Sequence, residues 1–175
     1  KYFNLGKIKD FKKKNLKNIL GVVAIGDINF RKKIVKQVEI NLPSIKWATI
    51  ISKNAIVKKN TYIGPGSMII SNTVINVGTK IGKHCLINTS STIDHDNIIK
   101  NFSSTGPGLI TGGNVIVDEM SYLSIGSVIK NNINIGRNTV IGACSYINKN
   151  CNSNSVYYGV PGKKIRVRKF NQSYF

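Results

Sequence analysis

Acidic residues are scarce in this chain of 175 residues: 7 Asp and Glu stand against 26 Lys and Arg, for a formal net charge of +19. Histidine is scarcer still, with only His84 and His95, too few for a three-histidine metal site. Three cysteines, Cys85, Cys144 and Cys151, follow no metal-ligand spacing, and their odd number argues against a disulfide framework, so reduced thiols and a cytoplasmic location are the expectation. No apolar run approaches the roughly 18 residues of a membrane span; the longest, Ile19 to Ile25, is strand-sized. The chain opens on Lys1 instead of Met, so a preceding N-terminal piece is expected. The positive charge is compatible with nucleic acid, a membrane surface or small anionic ligands. Lys, Asn and Ile are abundant throughout, however, and the lysines are scattered apart from the cluster Lys7 to Lys17. Compositional bias therefore accounts for most of the excess, with anionic small ligands next and nucleic acid last.

What the sequence has in abundance is a short period. Stepping by six from Ile51 to Ile147 gives seventeen positions, of which fifteen are aliphatic; Thr105 and Thr111 are the breaks. A second series, from Ala55 to Cys151, is filled by small residues at fourteen of seventeen positions, Asn97 among them. A plain strand would bury every second residue, yet the position between the two series carries Lys53, Lys83, His95, Asn101, Glu119 and Arg137. The chain must turn once per unit, with a large aliphatic residue pointing in and a small one fitting the corner. Asn60, Asn72, Gly78, Asn114, Gly126 and Asn138 supply the corner backbone, because Asn and Gly tolerate positive φ. Cys85 and Cys151 fall in the small inward series and read as core; Cys144 is a corner residue with no assigned role.

Outside the repeat, Ile19 to Gly26 reads as a buried strand and Asp27 as the cap of a helix over Asn29 to Glu39, with Phe30, Ile34, Val35 and Val38 on its apolar face. Asn41 to Thr49, containing Pro43, reads as a linker, and Tyr157 to Lys169 leaves the repeat.

The sixfold pattern resembles the hexapeptide-repeat acyltransferase family, which implies a mainly β fold: a left-handed parallel β-helix, here preceded by a partial small α/β domain. Three units per coil give between five and six coils, roughly 27 Å tall at about 4.8 Å per strand. The expected division is residues 1–44 as a partial nucleotide-sugar-binding domain with linker, 45–158 as the acyltransferase β-helix, and 159–175 as a tail near the CoA site.

Acetyl transfer from a thioester to an amine or hydroxyl needs a base for the nucleophile's proton and donors for the developing oxyanion. His95 lies between two acids, in Ile93-Asp94-His95-Asp96, at an outward corner. One carboxylate on a ring nitrogen would fix the tautomer and leave the other nitrogen as acceptor. Neighbouring residues point in different directions, so at most one of Asp94 and Asp96 reaches the ring.

The set NTSSTIDHD at Asn88 to Asp96, Pro107-Gly108, and GGNV at Gly112 to Val115 is similar to the nucleotide-sugar and sialic-acid acetyltransferase branch, which includes N-acetyltransferases of UDP-4-amino sugars. The likeness extends over nearly the whole chain, including VAIGD-x3-RKK at Val23 to Lys33. It implies acetyl-CoA as co-substrate and a nucleotide sugar as acceptor, in surface glycan biosynthesis, by a homotrimer with acetyl-CoA in the groove between neighbouring prisms. No metal, no nucleic acid and no membrane span are expected, from the histidine count, the scattered lysines and the absence of a long apolar run. By the same resemblance His95 is the base, Asp96 its polarising partner, and Gly113 the oxyanion donor. Asn88 lies near the sugar with Asp94, while Gly112 and Ile125 make backbone contacts to the pantetheine arm. Gly159 to Lys163 lies near the CoA nucleotide. Ser104 stands where many relatives carry a second histidine near the CoA thiol. His84 has no acid beside it and reads as an ordinary corner residue; Arg166 to Lys169 meets CoA phosphates or forms a solvated tail.

N-acetylation of a nucleotide-linked amino sugar and O-acetylation of a sugar such as sialic acid both remain open, since one base serves either. A γ-type carbonic anhydrase on the same prism is opposed by the histidine count. A non-catalytic β-helix is opposed by the mixed outward corners, which form no threonine ladder. A nucleic-acid binder rests on charge alone, without interleaved aromatics.

Overall fold

The computed structural model describes residues 6–13, 19–170 and 172. Lys14 and Lys17 of the basic cluster lie outside the described residues. The repeat folds as expected into a left-handed parallel β-helix of about 6 turns. Two-residue strands recur every six residues from Ile50–Ile51 to Tyr146–Ile147, and each up to Val128–Ile129 pairs in parallel with the strand 18 residues on, as Thr92 does with Ile110 and Ile93 with Thr111. Three faces result. Face one carries the strands that begin with Ile50–Ile51, face two those that begin with Ile56–Val57, and face three those that begin with Tyr62–Ile63.

The corners show why a period of six is obligatory. From Asn60 to Cys144 every sixth residue has positive φ, between 53° and 77°. This single left-handed residue turns the chain while leaving the next aliphatic residue pointing inward. Ile69, Ile75, Ile81, Ile87 and Ile93 are all fully buried, each worth roughly 1.5–3 kcal/mol relative to exposure. The corner residues stack into three edges. The first, between faces one and two, holds Asn72, Ser90, Gly108, Gly126 and Cys144. The second, between faces two and three, holds Asn60, Gly78, Asp96, Asn114 and Asn132. The third, between faces three and one, holds Gly66, His84, Phe102, Met120 and Asn138.

The third edge departs from the Asn/Gly expectation: His84, Phe102 and Met120 adopt a backbone that costs side-chain-bearing residues roughly 1–2 kcal/mol. The offset is packing. The His84 ring stacks on Phe102 at 5.0 Å and meets Trp47 edge-on at 4.8 Å. Against this edge lies helix α1 (Ile28–Asn41), whose Asp27 cap accepts the Phe30 N–H at 2.7 Å. The α1 guanidinium of Arg31 is fully buried and donates to the carbonyls of His84 and Phe102 and to the Ser104 hydroxyl.

Two flanking expectations are corrected and two are refined. The strand read at Ile19 to Gly26 is only β1 (Leu20–Gly21), with Leu20 and Val22 exposed. Phe30 is exposed, and Arg31 takes its place on the buried side of α1 with Ile28, Val35 and Val38. The linker contains a strand, β2 (Lys46–Trp47), parallel to β1. The tail is paired yet largely solvent-exposed: Ser155–Gly159 and Gly162–Val167 form an antiparallel hairpin added to face one, Lys163 to Val167 are exposed, and only Arg168 beyond them is buried, its guanidinium donating to Asn138 Oδ1. Cys85 and Cys151 are core, their thiols pushed up by burial to about 12.

Candidate active site

The second edge carries the candidate catalytic residues. His95 sits one residue before the left-handed corner, so its side chain leaves the prism outward, while Asp96 occupies the corner itself at φ 56°. The two side chains meet: His95 Nδ1 lies 2.8 Å from Asp96 Oδ2. A carboxylate only accepts, so Nδ1 carries the proton and Nε2 is the acceptor. The other acid turns away. Asp94 Oδ1 accepts the His95 N–H at 2.8 Å and the Asn76 amide at 3.1 Å. Bonding to Asp96 raises the imidazole above its ordinary 6.5; desolvation opposes this, and the charges of Asp94 and Asp96 add to it. The His95 and Asp96 side chains are about half exposed, at 49% and 58%.

One coil higher on the same edge, Gly113 lies against the ring: a Cβ there would overlap His95 Nε2. At His95 the preceding side chain, Asp94, captures the corner N–H. Gly112 has no side chain to do the same, and among the described residues no acceptor takes the Gly113 N–H. An acceptor nitrogen and an unspent donor are therefore close neighbours on this edge. Below them, Gly78 combines a φ of 75° with a position where any Cβ would overlap Asp96 Oδ1.

The remaining candidates are distributed elsewhere. Gly112 is beside the site, but its N–H donates to Ile129 O at 2.8 Å. Asn88 is at the first edge, where its Oδ1 accepts the Thr89 N–H at 2.8 Å. Ile125 is exposed at the same edge two coils higher, its carbonyl accepting from Cys144 N. Gly159 and Lys163 belong to the terminal hairpin, with Gly159 N donating to Ser145 Oγ at 3.0 Å. Ser104 is buried on face one under Arg31 of α1, away from the second edge. His84 is the packed corner residue described above.

Sequence reasoning passed over three contributors. The two polar breaks in the aliphatic series face inward beside the loops that matter: Thr105 Oγ1 accepts the Asn88 N–H at 2.8 Å and Thr111 Oγ1 the Asp94 N–H at 3.2 Å. Asn97 was grouped with the small residues, although it is the one carboxamide in its series. Among the described residues, no group of three His, Cys, Asp or Glu is placed to hold a metal, and no helix is long and apolar enough to cross a membrane.

No protein-family model matches the chain. Solved structures do. A variant of GDP-perosamine N-acetyltransferase from Caulobacter crescentus, in complex with CoA and GDP-perosamine, superposes with a TM-score of 0.84 at 24% identity, covering 91% of this chain and 74% of that one. WeeI from Acinetobacter baumannii gives 0.82 at 25% identity, covering 89% and 75%. The acetyltransferase domain of PglB from Neisseria gonorrhoeae gives 0.79 at 25%, covering 82% and 69%. With its sixfold period, its triangular coil and these matches, the chain is a hexapeptide-repeat β-helix protein built like the sugar acetyltransferases.

Proposed function

We propose that this protein transfers the acetyl group of acetyl-CoA to the amino group of a nucleotide-linked amino sugar. The observation that carries this reading is the closeness of His95 Nε2, held as an acceptor by the Nδ1–Asp96 bond, to Gly113, whose N–H has no acceptor among the described residues. Support comes from the fold neighbours, one of which holds CoA together with GDP-perosamine.

The chemistry follows from that pair. The neutral amine attacks the thioester carbonyl, a C–N bond forms, and Nε2 takes the amine proton. The carbonyl oxygen becomes an oxyanion that the Gly113 N–H stabilises where the charge develops. Collapse breaks the C–S bond, and the imidazolium returns its proton to the departing CoA thiolate. Asp96 stabilises the imidazolium throughout without itself accepting the proton.

The site is completed by a second copy in this proposal. The candidate acetyl-CoA contacts Ile125, Gly159 and Lys163 lie at the first edge and the terminal hairpin, whereas His95 and Gly113 lie at the second edge. Three prisms arranged with the first edge of one against the second edge of the next would form three equivalent grooves, each presenting one subunit's His95 to acetyl-CoA.

The test is acetyl-CoA-dependent release of free thiol with UDP-, GDP- and dTDP-linked 4-amino sugars and with sialic acid, comparing the protein with its His95→Ala variant. Turnover with an amino sugar that falls roughly 100-fold or more in the variant is the expected result. Turnover confined to sialic acid would replace N- by O-acetylation, and undiminished turnover in His95→Ala would end the base assignment.

A further inference from the structure

We infer that Asn97 is a positioning residue that sets the geometry between His95 and the Gly113 N–H; the inference rests on the reading of His95 as base and Gly113 as oxyanion donor. Asn97 lies inside the prism behind the second edge and is fully buried. Its Nδ2 stands 2.7 Å from Asp94 O, 3.1 Å from His95 O and 3.0 Å from Gly112 O, so two amide hydrogens are shared among three carbonyls.

Those three carbonyls bracket the site. Holding Asp94 O and His95 O inward fixes the peptide planes on both sides of the His95 Cα, and with them the direction in which its side chain leaves. Gly112 O belongs to the same peptide unit as the Gly113 N–H. In a trans peptide the two point oppositely, so a carbonyl anchored inward turns that N–H outward. One carboxamide thereby ties the base's loop to the donor's loop, across two successive coils.

The prism itself does not need an amide here. The equivalent position one coil below is Thr79, and one and two coils above it is Val115 and Ile133, all buried. Asn97 also leaves its Oδ1 buried without a hydrogen-bond partner. Ser or Thr, which fill this series elsewhere, would avoid that standing cost. Most Ser and Thr residues of this series reach one carbonyl, 15 residues on, as Thr79 reaches Asp94 O at 2.7 Å; what the amide adds to that bond is its hold on the loop of His95 itself.

Asn97→Ser is compared with wild type and with Ser121→Ala, which removes a small inward residue from another edge, where its hydroxyl bonds Gly136 O at 2.9 Å. The readouts are kcat and KM for both substrates, thermal unfolding, and NMR titration of His95, which is resolvable because the chain holds only two histidines. We expect Asn97→Ser to lower kcat roughly 10- to 100-fold, as for a small misplacement of reacting groups. KM should stay within about twofold, and the His95 titration should move down toward its ordinary range as the Asp96 contact loosens. Ser121→Ala should lower the melting temperature and leave kcat and the titration in place. If Asn97→Ser does not fold, Asn97→Thr carries the same comparison. An unmoved His95 titration with wild-type kcat, or an equal loss of kcat in Ser121→Ala, would overturn the positioning role. Undiminished turnover in His95→Ala would instead remove the base reading, so the two failures are separable.

Discussion

Asp96 combines two requirements in one residue. Its short polar side chain tolerates the left-handed corner at φ 56°, and its carboxylate holds His95 Nδ1 at 2.8 Å. Asp96→Asn keeps the corner and removes the charge. A base must be neutral to act, so the rate of the wild-type protein should rise with pH through an apparent pKa above 6.5, the side to which Asp96 moves His95. In Asp96→Asn that acid limb should shift to lower pH while the plateau rate falls, because the imidazolium formed during reaction loses its counter-charge. A pH–rate profile of both proteins checks this; an acid limb that stays in place would mean that another group titrates. The Asp-His-Asp run was plain in the sequence, but the choice between the two acids was not. It depends on Asn76 and Thr111, 18 and 17 residues from Asp94, which hold that loop. Asn97 escaped for a related reason: a period reports the size of side chains, not what their hydrogens meet.

At the scale of elements, the decisive contact is α1 against the third edge. The Asp27 cap could be read from the sequence because a cap is local. The buried face could not: hydrophobicity puts Phe30 inside, whereas the corner carbonyls of His84 and Phe102 recruit Arg31. That preference exists only once the prism has formed. The contact also makes stability depend on pH. Burial holds the His84 imidazole below 6.5, with Arg31 and Lys83 acting in the same direction and Glu39 opposing. The unfolded chain therefore binds the extra proton first, and stability present above about 6.5 is lost as pH falls below it. His95, shifted upward, has the opposite sign, but its solvent exposure keeps its contribution small. Thermal unfolding at pH 7.5 and 5.0 should show a larger drop in wild type than in His84→Phe, which keeps the aromatic stack without the proton. Equal drops in the two would assign the acid sensitivity elsewhere.

For the molecule as a whole, the proposed function draws its candidate groups from two edges and so invokes more than one copy per site. Light scattering should give three times the 19.3 kDa of this chain, and a monomeric mass would remove the shared groove. The sixfold period made the prism legible because every unit repeats the same local bargain between an inward aliphatic residue and a left-handed corner. The terminal hairpin was not legible, since it breaks that period and is defined by pairing across the turn. Its antiparallel strand Gly162–Val167 occupies the end of face one and carries the exposed Lys163, Lys164 and Arg166. A stack of parallel coils would otherwise offer a ready template on which the next molecule could continue the helix end to end. Reversing and charging the strand at this end of face one removes that template there, which disfavours end-to-end growth into a fibre.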